Sequence, residues 1–132
     1  MALITQAQVE KIFEAADVTA FTGGNSTVIA ELLDEASDWC QEYATAAGVT
    51  LTAGSLTASM RRRIAIRFLY TAATRKKEIR DDQGRAPYHV EHAQAEAELQ
   101  AWADRLRSLS NDTVSEAPVV LSEDPRGWNA DT

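Results

Sequence analysis

A run of apolar residues at helical spacing, between positions 27 and 47, constrains the fold more than any other feature of the sequence. Its apolar positions recur every three or four residues, which is the period of one face of an α-helix. They are Val28, Ile29, Leu32, Leu33, Ala36, Cys40, Tyr43 and Ala47. Acidic residues occupy the other side, at Glu31, Asp34, Glu35, Asp38 and Glu42. The pattern predicts an amphipathic helix that is capped by Asn25 or Ser26 and ends near Gly48.

A shorter helix is predicted before it, over about residues 6–16. Thr5 and Gln8 have the spacing of a capping box, in which each side chain binds the other residue's backbone N–H group. The next stretch, residues 17–26, contains two glycines and an asparagine in a row, so we interpret it as a loop. We expect Phe21 to anchor this loop against the core.

Two long helices are predicted in the second half of the chain. One follows a capping residue, Ser55, and extends to about Arg80, and the other runs from about Pro87 to Leu109. Because only a short turn separates them, we expect an antiparallel hairpin. The predicted fold is therefore all-α, a small bundle of about four helices.

The helical pattern stops after Ser110, which divides the chain into a helical domain, 1–110, and an arm, 111–132. The arm combines prolines and turn-forming residues with a few apolar residues that a purely solvated tail rarely carries. We therefore predict an extended arm that docks on a partner or on a neighbouring subunit. Its candidate docking residues are Val119, Val120, Leu121, Pro125, Arg126 and Trp128.

Composition excludes several classes of protein. With 132 residues and 45% hydrophobic content, the chain has the size and mixture of one globular domain. No apolar run approaches the length of about 20 residues that a membrane helix needs. No signal peptide is visible at the N-terminus, and a single cysteine, Cys40, cannot form a disulfide framework. We expect an intracellular protein without membrane contact.

The net charge of −7 hides a strong asymmetry. Residues 61–80 contain eight basic residues and only Glu78 as an acid, a charge of +7, while the remainder contains five bases and 19 acids, a charge of −14. The eight basic residues are Arg61, Arg62, Arg63, Arg67, Arg75, Lys76, Lys77 and Arg80.

Three interpretations of this basic segment remain open: contact with nucleic-acid phosphates, pairing with the acidic face of another helix or another subunit, and simple solvation. The second is favoured, because a chain of net −7 repels itself unless its charges are arranged. The sequence thus predicts a subunit interface at Arg61, Arg62, Arg63, Arg67, Arg75, Lys76 and Lys77. The alternative function is a helical nucleic-acid-binding module that uses the segment 61–80.

Candidate chemistry is sparse. His89, His92 and Glu96 share a helix face and could bind zinc, but HVEHAQAE lacks the HExxH spacing, so a small metal-dependent enzyme is the weakest reading. Cys40 lies on an apolar stripe and is expected to be a buried hydrophobic residue. TGGNST lacks the GxxxxGK[ST] pattern of a phosphate-binding loop, so it is interpreted as a helix–helix loop. We therefore predict no catalytic residues, no cofactor and no metal site, and no enzymatic activity.

Four stretches spread along the chain follow the layout of one known family. MALITQAQVEKIF places a Thr-capped helix after an apolar opening, and VIAELLDEASDWCQEYA forms an acidic and apolar stripe with aromatic residues near its end. SLTASMRRRIAIRFLYTAATRKK combines an apolar face with arginines, and the ending contains SEDPRGW, similar to an SDPRGW-like segment with an inserted Glu. Over nearly its full length, the sequence resembles the small head–tail connector (adaptor) proteins of tailed bacteriophages and prophages of the Mu-like and related types.

The resemblance implies a helical structural subunit that assembles as a ring, usually of about twelve copies, beneath the portal protein. Such rings extend the channel through which double-stranded DNA passes without sequence-specific binding, and they provide the surface for the tail or stopper protein. The implied location is the head–tail junction of the virion, after synthesis in the cytoplasm of the host bacterium. Many Mu-like relatives carry a DxDGDG-type loop between their first two helices; this chain has FTGGNST there, so we expect no calcium site.

Overall fold

The computed structural model describes residues 2–75 and 87–116, with side chains as far as residue 109. Within these residues the chain forms helices and no strands, which confirms the all-α class. The helices are α1 (Gln6–Ile12), α2 (Ala15–Thr22), α3 (Ser26–Ala46), α4 (Ala58–Thr74) and α5 (His89–Glu116), with a 3₁₀ turn at Ala53–Ser55. None of the helices in the described ranges is long and apolar enough to cross a membrane.

For the first 26 residues, the predicted helix cap is correct, but the predicted helix end and the predicted loop are not. Thr5 caps α1 in a complete capping box, since its hydroxyl accepts from Gln8 N at 3.2 Å and Gln8 Oε1 accepts from Thr5 N at 2.9 Å. However, α1 ends at Ile12, and a second helix, α2, occupies most of the stretch predicted as a loop. The two glycines end α2 instead of unfolding the whole stretch, because Gly23 takes the left-handed conformation (φ 71°) at the α2 C-terminus.

α3 agrees with its prediction. Asn25 is the cap, with Oδ1 accepting from the backbone N–H groups of Thr27 and Val28 at 2.9 and 3.1 Å. Gly48 follows the helix with φ 78°, in the left-handed position predicted for it.

α4 begins later and ends earlier than the sequence suggested. Its cap is Thr57, whose hydroxyl accepts from Met60 N at 3.2 Å, whereas the predicted cap, Ser55, closes the 3₁₀ turn by pairing with Thr52. α4 ends at Thr74, and residues 76–80 of the predicted helix lie outside the described residues.

α5 starts at His89 and continues to Glu116, beyond the predicted end at Leu109. The predicted arm boundary is therefore wrong for residues 111–116, which are helical. The rest of the arm, 117–132, lies outside the described residues, together with all six of its candidate docking residues.

α4 is the central helix of the described structure, because it packs against α1, α2, α3 and α5. Its fully buried side chains are Ile64, Ala65, Phe68, Leu69 and Ala73. Between α4 and α5, Arg63 contacts Glu98 and Arg67 contacts His92, so residue numbers rise along one helix as they fall along the other. The same holds between α4 and α3, where Arg67 contacts Glu35 and Met60 contacts Cys40. α4 is therefore antiparallel to both α3 and α5.

An aromatic cluster joins the short helices to the start of α5. Tyr88 forms edge-to-face contacts with Phe13 and Phe21, at centroid distances of 5.3 and 6.0 Å. Its hydroxyl donates to Asp17 Oδ2 at 3.2 Å, and burial, with the nearby Asp17 charge, raises the pKa of Tyr88 to about 12. Phe21 packs against the core as predicted, although from a helix and not from a loop.

Candidate functional site

The five described members of the basic segment all lie on α4 or at its end, but they differ in exposure. Arg62 and Arg75 are exposed, whereas Arg61, Arg63 and Arg67 are half-buried. This division follows from the helix, since neighbouring residues point about 100° apart. Lys76, Lys77 and Arg80 lie outside the described residues.

Arg67 is held by three side chains from two neighbouring helices. Its guanidinium binds the Glu35 carboxylate with Nη2–Oε2 at 2.6 Å, and Nε lies 3.2 Å from both carboxylate oxygens. Its Nη1 donates to His92 Nε2 at 2.9 Å, and its Cζ lies 5.3 Å from the centre of the Trp39 ring. The charge of Arg67 is thus compensated within the chain.

The other arginines of the α4 N-terminal half also have partners in the same chain. Arg63 Nε donates to Glu98 Oε1 at 3.1 Å, and Arg61 Nη1 donates to the Leu56 carbonyl at 2.9 Å. Arg62 lies over the Phe13 ring, with Cζ 5.5 Å from its centre. The predicted pairing with acidic faces therefore exists between helices of one chain for Arg63 and Arg67.

His92 occupies the centre of this network and is only 6% exposed. Its ring is stacked on Tyr70 at a centroid distance of 4.2 Å and on Trp39 at 5.4 Å. Because arginine can only donate, His92 Nε2 accepts the bond from Arg67; this geometry assigns the proton to Nδ1, which lies 3.6 Å from Glu96 Oε1.

This arrangement does not support the hypothesis that His89, His92 and Glu96 bind zinc. The Nε2 lone pair of His92 already accepts a hydrogen bond from Arg67. In the described ranges, 2–75 and 87–116, no three or more His, Cys, Asp or Glu side chains are grouped so that they could hold a metal ion. The sequence did not single out Trp39 or Tyr70, because nothing in the local pattern shows that two aromatic rings from different helices will enclose one imidazole.

We predict that the chain loses stability in mild acid because of His92. Burial is the main reason why the pKa of His92 lies below its ordinary value of about 6.5, with Glu96 and Glu35 acting against this shift and Arg67 adding to it. The stabilising contribution of the neutral ring is therefore complete above about pH 6.5. It declines by at most about 1.4 kcal/mol per pH unit as the pH falls from there through the lowered pKa.

Urea unfolding at a series of pH values between about 4 and 8 measures this effect. The variant His92→Gln, which retains an acceptor for Arg67, is expected to flatten the acid side of the profile. His89→Gln is the matched control and keeps the acid loss, since His92 is still present. An unchanged profile in His92→Gln would show that other groups cause the acid dependence.

Cys40 is a buried thiol in the core between α3 and α4. It is fully buried, and its Sγ lies 4.0 Å from Met60 Sδ. Burial raises the pKa of Cys40 to about 11, against a smaller opposing effect of Arg63. A raised pKa favours the protonated thiol near neutral pH, and the burial of Cys40 is as predicted.

TGGNST connects two helices, as predicted. Gly23 ends α2, and Asn25 caps α3. The stretch thus has a structural role at the junction of the two helices.

Two of the surface grooves are lined by several charged side chains. The first, of about 510 Å³, follows the acidic side of α3 and is lined by Glu31, Asp34, Glu35, Asp38, Trp39, Glu42 and Arg67. The second, of about 630 Å³, lies between α5 and the segment before α4; we call it the Trp102 groove. Its apolar residues are Val49, Leu51, Leu56, Met60, Ala101 and Trp102, and its charged residues are Arg63, Glu98 and Arg105.

In comparisons with known proteins, no family model, no curated protein and no solved structure matches this chain.

Proposed function

We propose that the chain is a non-enzymatic structural subunit of a bacteriophage head–tail connector ring. The ring binds below the portal protein, extends the DNA channel and provides the attachment surface for the tail or stopper protein. The C-terminal arm reaches the portal protein or an adjoining subunit when the ring is assembled.

The observation that carries the proposal is the separation of unlike charges on different helices. The acidic row of α3 remains largely exposed, at Glu31, Asp34, Asp38 and Glu42, although Glu35 is paired with Arg67. The exposed charged side chains on α4 and at its end are instead positive, at Arg62 and Arg75. A ring needs such unlike surfaces, because each subunit presents one surface to the neighbour on one side and a different surface to the neighbour on the other.

The remaining properties support a structural role. The described chain is all-helical, as a connector subunit of the resembled family would be, and its one cysteine is buried and protonated. The acidic surplus of the chain suits the wall of a DNA channel, since a negative lumen repels the phosphate backbone, whereas many phosphate contacts would hold the passing DNA.

Native mass spectrometry and negative-stain imaging of the purified chain test the proposal. We expect a closed ring, either of the chain alone or after mixing with the portal protein encoded in the same genome. A variant that ends at Glu116 is expected to keep nearly all of its helical circular-dichroism signal, because the described core lies within residues 4–103, and to lose assembly or portal binding.

A full-length chain that stays monomeric with and without the portal protein would overturn the proposal. Duplex DNA binding distinguishes the alternative function. Tight binding with a steep salt dependence that disappears in the triple variant Arg61→Ala/Arg62→Ala/Arg63→Ala would favour a nucleic-acid-binding module. Lys11→Ala, which removes an exposed positive charge on α1, is the matched control for that measurement.

A further inference from the structure

The Trp102 groove is an apolar surface bordered by Arg105, which has no ionic partner among the described side chains. Leu56 and Met60 are buried at 7% and 6% exposure, while Leu51 and Trp102 are only partly buried against the core. Arg63 and Glu98, at the edge, are paired with each other. Arg105, which is exposed, has no ion pair with the side chains that the structure describes.

Trp102 adds a polar feature to this apolar surface. Its indole N–H group makes no hydrogen bond to any described side chain or backbone group, and Trp102 is one of the residues that line the groove. A segment that brings an apolar or aromatic side chain and a carboxylate would therefore cover apolar surface and neutralise Arg105 at the same time.

From these features we infer that the Trp102 groove binds the Asp124–Trp128 segment of the same chain, folded back along α5. In the sequence, the two acids Glu123 and Asp124 precede Trp128 by a few residues. The arm thus offers a carboxylate for Arg105 and an aromatic ring for the apolar surface beside Trp102. This inference does not depend on the ring, because the groove, the charges and the arm all belong to one chain.

The length of chain between α5 and this segment allows the docking. Arg105 lies about three turns, or about 16 Å, before the end of α5 at Glu116, and Trp102 about 21 Å before it. At about 3.3 Å per residue, an extended chain from Glu116 reaches about 26 Å at Asp124 and about 40 Å at Trp128. Both anchors therefore reach their places in the groove, with enough spare length for the chain to turn back.

The proposed fold-back limits the binding of the arm to other proteins. An arm whose Trp128 occupies its own groove is not available to another protein until it is displaced. The docked segment then acts as an internal competitor for whichever partner the arm binds.

Photo-crosslinking of the full-length chain tests the inference. p-Benzoylphenylalanine replaces Trp128, which keeps an aromatic ring at that position, and the dilute protein is irradiated. We expect a product that migrates as a single chain on a denaturing gel. Peptide mass spectrometry is expected to locate the crosslink in residues 49–60 or 98–105.

A charge variant and its control test the role of Arg105. Arg105→Gln is expected to lower the crosslink yield about two- to fivefold, the size of effect that one exposed ion pair supplies. Arg107→Gln leaves the yield unchanged, because Arg107 is paired with Asp104. The double variant Arg105→Glu/Asp124→Arg restores the yield by exchanging the two charges.

Three results would overturn the inference. The first is a crosslink outside the groove or no crosslink at all. The second is a covalent dimer as the main product, which would mean that a second copy supplies the segment. The third is a yield that does not change in Arg105→Gln.

Discussion

Replacing Phe68 by alanine is expected to lower the free energy of unfolding by about 3–5 kcal/mol. Phe68 is fully buried in α4, the helix that packs against every other described helix. Removing its ring takes apolar area out of the core and leaves a cavity that the surrounding side chains can close only in part. Since small domains have about 5–15 kcal/mol of stability in total, the variant loses a large share of it.

Urea unfolding followed by circular dichroism measures this change. The protein concentration must be one at which native mass spectrometry shows a single chain, because assembly would add a concentration-dependent stability. Val90→Ala is the control: Val90 is 61% exposed on α5, and its truncation is expected to change the free energy of unfolding by no more than about 0.5 kcal/mol. A loss below about 1 kcal/mol in Phe68→Ala would contradict the central position of α4.

Replacing Arg67 by alanine is expected to lower the free energy of unfolding by about 2 kcal/mol, the second-largest effect. The substitution removes the pair with Glu35, the donor to His92 and the cation above Trp39. Hydrogen bonds to charged groups contribute about 1.5–3 kcal/mol. We expect a loss of unfolding free energy in the lower half of that range, because the Glu35 side chain is 39% exposed and water replaces part of the lost interaction.

A double-mutant cycle isolates the ion pair from the rest of the network. Arg67→Ala, Glu35→Ala and the double variant are compared by urea unfolding, and we expect a coupling energy of about 1 kcal/mol. Arg67→Lys keeps the charge but not the two parallel hydrogen bonds, so it is expected to lose about half as much as Arg67→Ala. Arg75→Ala, an exposed arginine at the end of the same helix, is the control and is expected to change little. Equal losses in Arg67→Ala and Arg75→Ala would contradict a structural role of Arg67.

The two effects have different consequences for the proposed ring. Phe68→Ala weakens the core and thereby every surface that the core supports. Arg67 and Glu35 already satisfy each other within one chain, so their charges contribute less to a subunit contact than the exposed Arg62 does. Of the described residues proposed for the interface, Arg62 and Arg75 are the exposed ones.

Helical periodicity was sufficient to predict the class of the fold and the capping residues of α1 and α3. The apolar stripe of α3, the cap at Asn25 and the left-handed Gly48 are visible in the sequence, because each depends on residues within one or two turns. The sequence did not predict α2, because the contacts that stabilise this helix come from residues distant in sequence. Its fully buried Val18 and its partly buried Phe21 gain their stabilisation from α4 and from the Tyr88 ring, which are distant in sequence.

The charge asymmetry can be predicted from the sequence, but the ion pairs that its residues form cannot. The sequence was enough to find a basic segment at residues 61–80 in an otherwise acidic chain, since charges can be counted along the chain. Which acid pairs with which arginine depended on the packing of α3 and α5 against α4, which places Glu35 and Glu98 beside Arg67 and Arg63. The same packing enclosed His92 between two aromatic rings, because three helices must meet before a side chain from each can touch.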